Sequence, residues 1–269
     1  MWVYLAAMDM NEHAKVALLA GLTVAVVAAV AALPPIPQWQ SYHDFADRRA
    51  WLGIPNTLDV GSNLAFILVA AAGLGRLLGS DRPMFADPRD AIPYRVFFLA
   101  LGAVGCASAW YHLAPDDGRL LWDRLAMVGV FMAWVAAQFN ERLGPRVGAV
   151  MLPVLLLLGA AAVVYWGVTE ARGHGDLRPY GMVHLYPMVL VPLLLWLYPS
   201  RYSRGGDALV VLGLYLVALA AEQLDAFIFG LTGVVSGHTL KHLAGAAAAL
   251  WVLHSLLHRR PTSPVVRGG

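Results

Sequence analysis

The chain has 269 residues, of which 59% are hydrophobic and only 13% charged, with a formal net charge of +2. A soluble domain carries roughly 25% charged residues. The composition therefore excludes a sizeable soluble domain, and with no basic tract it gives no reason to expect a nucleic-acid partner. The single cysteine, Cys106, lies inside an apolar run. It allows no intrachain disulfide and reads as a packing residue rather than a ligand.

Eight apolar segments of near-spanning length follow in order, at about 15–33, 58–78, 95–113, 119–138, 146–168, 180–199, 207–230 and 237–257. Each must be helical, because backbone exposed to lipid has no other way to satisfy its polar groups. The expected fold is an all-α membrane protein, a seven-transmembrane helix bundle over 58–258 with an extra N-terminal transmembrane helix within 1–35. An outer loop occupies 36–57 and a cytoplasmic tail 259–269. For the first segment the competing reading is a cleaved signal peptide. Its apolar run is long for one, and Pro34, Pro35 and Pro37 end it without a clear small-residue cleavage site. A retained helix is expected.

Charge bias orients the chain. With the N-terminus inside, the inner loops hold twelve Lys and Arg and the outer loops six, Lys241 apart. Both termini are then cytoplasmic.

The polar residues inside the apolar segments carry the chemistry. Ser108 and His112 are four apart in Ser-Ala-Trp-Tyr-His, as are His238 and His242 in His-Thr-Leu-Lys-His, so each pair shares a helix face. Three imidazoles from two helices suit a catalytic zinc, which takes three protein ligands and leaves a position for water. In the expected topology Ser108 and His112 end the third helix at the outer side. Asp123 starts the fourth there, and His238 and His242 start the eighth there. Five residues chosen for their chemistry fall at one depth. The alternative for the histidines is a hydrogen-bonding network between helices. Asp123 reads as the acid or base handling the proton of a metal-activated water, against a salt bridge to Arg124 or Arg119 or a role orienting a ligand imidazole. Ser108 reads as a hydroxyl donor to a developing oxyanion, against a helix-packing serine or a nucleophile, the last needing a free histidine base while His112 is committed to metal.

Other polar groups reach the same level. Glu222 and Asp225, three apart, read as structural partners or supports of the ligands, and Lys241 as a partner of one of them. His184 lies near the outer start of the sixth helix. Asp44, Asp47, Asn56 and Asp59 form an oxygen-rich stretch that suits a calcium ion, although Arg48 and Arg49 can neutralise the same acids.

At these residues the sequence resembles the alkaline ceramidase family, within the superfamily of seven-helix membrane hydrolases that includes the adiponectin receptors. The pattern is Ser108-x3-His112, Asp123 eleven residues on, and His238-x3-His242 opening the last helix, with Ser62-Asn63-Leu64 similar to the family's first core helix. It spans about residues 42 to 258. The resemblance implies a seven-helix bundle with zinc on His112, His238 and His242. It implies Asp123 assisting a metal-activated water, Ser108 stabilising the oxyanion, and a ceramide substrate cut at its amide into sphingoid base and fatty acid. The family's acidic calcium-binding stretch is replaced by Asp44-Phe-Ala-Asp47, Asn56 and Asp59. That stretch and the Ala- and Arg-rich composition resemble bacterial members. The expected setting is thus a bacterial inner membrane with the active site toward the periplasm, a lipid substrate, Zn2+, and Ca2+ as a candidate second ion. A receptor-like or regulatory protein with structural zinc is the competing function. An ion transporter is disfavoured, because a conduction path would spread polar groups across the bilayer.

Overall fold

The computed structural model of the chain describes residues 10–79 and 84–262. In chain order its α-helices are α1 (Glu12–Ala32), α2 (Thr57–Ser62), α3 (Leu64–Gly79), α4 (Ala91–Leu113), α5 (Asp117–Leu143), α6 (Pro145–Ala171), α7 (Arg178–Leu185), α8 (Pro187–Leu197), α9 (Asp207–Gln223), α10 (Asp225–Thr232) and α11 (Gly237–His258). Helices α2 and α3 together make one span, as do α7 and α8, which meet ahead of Pro187. Among the described residues seven spans are long and apolar enough to cross a membrane, and the bent pair α9–α10 makes an eighth if counted as one span. All eight segments marked in the sequence are helical, and the architecture is an all-α membrane bundle of seven helices with an added N-terminal helix.

Helix starts follow their capping residues. The Asp116 carboxylate accepts the Arg119 N–H (2.7 Å) to open α5, and the Ser236 hydroxyl accepts the Thr239 N–H (3.0 Å) to open α11. Along α4 the buried positions Tyr94, Phe97, Phe98, Leu101, Val104, Ser108, Tyr111 and His112 recur at the helical period. The core stripe itself therefore carries Ser108 and His112 inward. Cys106 lies outside that stripe and is exposed, so it does not pack in the bundle interior.

Helix α1 is mostly exposed along its length and packs on α7 and α8. It is tied there by the Thr23 hydroxyl against the Tyr186 hydroxyl (2.7 Å) and by Arg178, which donates to the Ala31 (3.2 Å) and Leu33 carbonyls. The seventh core segment differs from the single straight run expected over 207–230. The chain turns by 76° at Leu224, and α10 continues with Phe227 and Leu231 exposed. The turn frees Asp225 to accept the backbone N–H of His238 (2.7 Å) and of Ala46 (2.9 Å). Gly237 permits the closeness: a Cβ there would sit 2.1 Å from the Ala221 carbonyl oxygen.

Arg259, the first residue of the expected cytoplasmic tail, is instead buried at the end of α11 and pairs with Glu141. The tail beyond residue 262 lies outside the described residues.

Candidate metal centre

The fold brings His112, His238 and His242 together. Each offers a ring nitrogen, all within 4.8 Å of one another, and all three residues are buried. His112 Nε2 and His238 Nε2 lie 3.2 Å apart. A zinc ion at about 2.0–2.1 Å from each of two nitrogens in tetrahedral geometry places them about 3.3 Å apart. The His112–His238 pair thus sits at the spacing that a shared ion requires, with a nitrogen of His242 within 4.8 Å of both.

A neighbour fixes which nitrogen of His242 faces the centre. Ser62 Oγ lies 2.8 Å from His242 Nδ1 and 3.1 Å from the Asp59 carbonyl oxygen. With Ser62 donating to that carbonyl, Nδ1–H of His242 donates to Ser62, and Nε2 keeps its lone pair for a metal. His112 is held through its carbonyl, which accepts Asn56 Nδ2–H (2.9 Å). His238 is held through its backbone N–H by Asp225. The donor set, three neutral nitrogens and no thiolate, suits zinc among the divalent ions that imidazole binds. Among the described residues no other group of three or more His, Cys, Asp or Glu converges in this way.

An aromatic ring covers one side of the site, and a cavity adjoins it. Phe45, from the loop between α1 and α2, is buried and packs its ring 4.6 Å from that of His112 and 4.5 Å from that of His238. Beside the site lies a cavity lined mainly by apolar side chains such as Phe97, Leu101, Met127 and Leu212. Ser108, Asp123, His242, Glu222 and Lys241 bring polar groups to it. Ser108 and Asp123 are themselves buried, and Asp123 Oδ1 has no hydrogen-bond partner among the described residues. The salt bridge weighed for Asp123 is not formed. Arg119 instead pairs with Asp116 (3.6 Å). Arg124 donates to Gln38 Oε1 (2.6 Å) and stacks over Trp166 and Tyr180 at 4.2 and 4.7 Å. An unpaired carboxylate facing an apolar cavity is costly as structure and useful as a proton acceptor.

Lys241 pairs with Glu222, which also accepts the Tyr42 hydroxyl (3.1 Å). Glu222 therefore meets no ligand imidazole directly, whereas Asp225 positions His238. The oxygen-rich stretch does not gather into one site. Asp44 is exposed beside Arg48 (2.8 Å). Asp47 is buried with both oxygens on Arg49 (2.7 Å each), and that guanidinium holds its carboxyl below the usual carboxylate range. Arg49 also donates to the Gly233 (3.0 Å) and Val234 carbonyls, which ties the outer loop to the α10–α11 turn. Asn56 is spent on His112. Asp59 is fully buried and accepts the Thr239 (2.6 Å) and Ser236 (3.2 Å) hydroxyls at the start of α11. Arg48 and Arg49 meet Asp44 and Asp47, while Asp59 Oδ2 has no hydrogen-bond partner among the described residues.

Two participants were not singled out from the sequence. Phe45 stands in the acidic loop with nothing to mark it. Ser62 was noted only as part of Ser-Asn-Leu. Its place one turn below Asp59 on the same segment was the available signal.

Fold and site together define a multi-pass membrane protein with a buried three-histidine group that could hold a metal ion. No model of a known protein family matches the chain, and no curated protein matches it.

Proposed function

We propose that the protein is a zinc-dependent intramembrane amidohydrolase that cleaves the amide of ceramide or a related N-acyl lipid to a sphingoid base and a fatty acid. The observation that carries this reading is that Ser108, the unpartnered Asp123 and His242, one member of the three-histidine group, line one apolar cavity. A water-soluble substrate has no use for such a cavity, while the chains of a lipid amide do.

His112, His238 and His242 would hold the metal. When bound, zinc supplies Lewis acidity toward a carbonyl and lowers the pKa of water toward about 7. Asp123 Oδ1 accepts the proton of the attacking water and returns it to the departing amine nitrogen. Ser108 Oγ–H donates to the carbonyl oxygen as negative charge develops there. Phe45 keeps bulk water off the imidazoles, and the Lys241–Glu222 pair carries no net charge into the cavity. The excess of inner Lys and Arg sets the active site toward the outer face, which in a bacterial inner membrane is the periplasm.

The test is release of fatty acid from an N-acyl sphingoid lipid by the purified protein. The wild type should release it. The Asp123→Asn variant should keep its zinc and lose the release. Zinc bound with no hydrolysis of any N-acyl lipid would move the protein to the regulatory reading with structural metal.

A further inference from the structure

Two polar atoms deeper in the same cavity have no role in the chemistry above. His184 Nε2 and Tyr215 Oη are both buried and lack a hydrogen-bond partner among the described residues, and both residues line the cavity. Their rings neighbour each other, with centroids 5.6 Å apart and planes tilted by 32°. His184 is held from its other sides by Phe131 and Tyr180, at 5.0 and 5.4 Å. Tyr215 is seven residues before Glu222 on α9, two turns or about 10 Å further from the metal end. Leaving one such atom unsatisfied in an apolar wall is costly. Two side by side make a fixed polar spot.

We propose that His184 and Tyr215 form a subsite for a neutral hydroxyl group on the chain of the bound lipid. This rests on the lipid-amide reading and extends it to substrate selection. A phenol and a neutral imidazole each donate or accept, so a hydroxyl, which does both, satisfies the pair without bringing charge into the cavity. A carboxylate fits less well, since Lys241, the cation lining the same cavity, is taken by Glu222. The hydroxyl belongs either to the long-chain amino alcohol or to a hydroxylated acyl chain.

Direct binding separates these sources. Dissociation constants are measured for the zinc-loaded full chain in detergent with a long-chain amino diol, the same amine lacking its secondary hydroxyl, a hydroxylated fatty acid, and the plain acid. In the wild type one hydroxylated probe should bind about tenfold tighter than its deoxy partner, and Tyr215→Phe should erase most of that advantage at unchanged zinc content. The pair that responds names the source. Should Tyr215→Phe lose its zinc, His184→Phe carries the same test. No separation within either pair in the wild type overturns the proposal, as does a separation unchanged in a zinc-replete variant. Binding is read without turnover, so failure to hydrolyse lipids removes the amidohydrolase reading and leaves the subsite to be judged by these constants.

Discussion

The bundle holds two buried polar clusters, one at each end, and they differ in one acid: Asp123 near the histidines meets no cation. At the opposite end Asp90 and Glu141 each meet an arginine, although Arg201 Nε and Arg259 Nε are left without partners. Asp90 takes Arg201 on both oxygens (2.9 Å each), Asn140 (3.1 Å) and the Tyr202 hydroxyl. Glu141 takes Arg259 and the Tyr94 hydroxyl, while Arg259 stacks on Tyr202 at 4.1 Å. At the outer end the histidines form no ion pair, and Asp123 keeps an unpartnered oxygen against the cavity. Neutralised clusters clamp helices. Groups left unsatisfied in an apolar wall are poised for something that is not protein. The distinction lies in the pairing, since by composition both ends are a few charged residues in hydrophobic helices.

The contrast can be broken by substitution. Asp123→Asn should lower hydrolysis by about 10²- to 10⁴-fold while melting temperature and zinc content stay near wild type. A large loss of stability instead would make Asp123 another clamp. Ser108→Ala should cost about 10²- to 10³-fold in kcat with KM little changed, read by steady-state kinetics. At the other end, Asp90→Ala leaves Arg201 without its acid and should destabilise the fold by about 3 kcal/mol, read by unfolding in detergent, with zinc still bound by the folded fraction. Loss of zinc without loss of stability there would reverse the assignment of the two ends.

The smallest effect concerns the loop that anchors α1. Arg178 donates to Asp176 and holds its carboxyl down at about 2. A depressed folded-state value adds stability above the ordinary carboxylate range, and this is lost as pH falls through the folded value. The difference in melting temperature between wild type and Asp176→Asn should be full at neutral pH and shrink from about pH 4 down to about 2. A difference independent of pH would exclude the ion pair as its source.

What the sequence disclosed was set by local rules. The eight apolar runs announced eight helices because lipid leaves the backbone no alternative. The i, i+4 spacing of Ser108 with His112 and of His238 with His242, read against alternating helix direction, placed them at one level before any coordinates. The bend at Leu224 was not legible, because the run Leu224–Phe229 has no proline or glycine and the turn depends on contacts of Asp225 with α11 and the outer loop. The oxygen-rich stretch looked like a cation site because sequence lists acids without their partners. Arg49 lies two residues from Asp47, but the Thr239 and Ser236 hydroxyls that donate to Asp59 Oδ1 are some 180 positions away. Likewise, nothing in the chain order shows that Phe45 covers two imidazoles or that His184 and Tyr215 face one cavity.

The central claim is that three neutral imidazoles at the outer end hold a metal. The direct measurement is zinc content of the purified wild type beside His238→Ala. About one zinc per chain in the wild type, lost in the variant while the protein remains helical and monodisperse, is the predicted result. A wild type that binds no zinc, or a variant that binds it as well as the wild type, would contradict it.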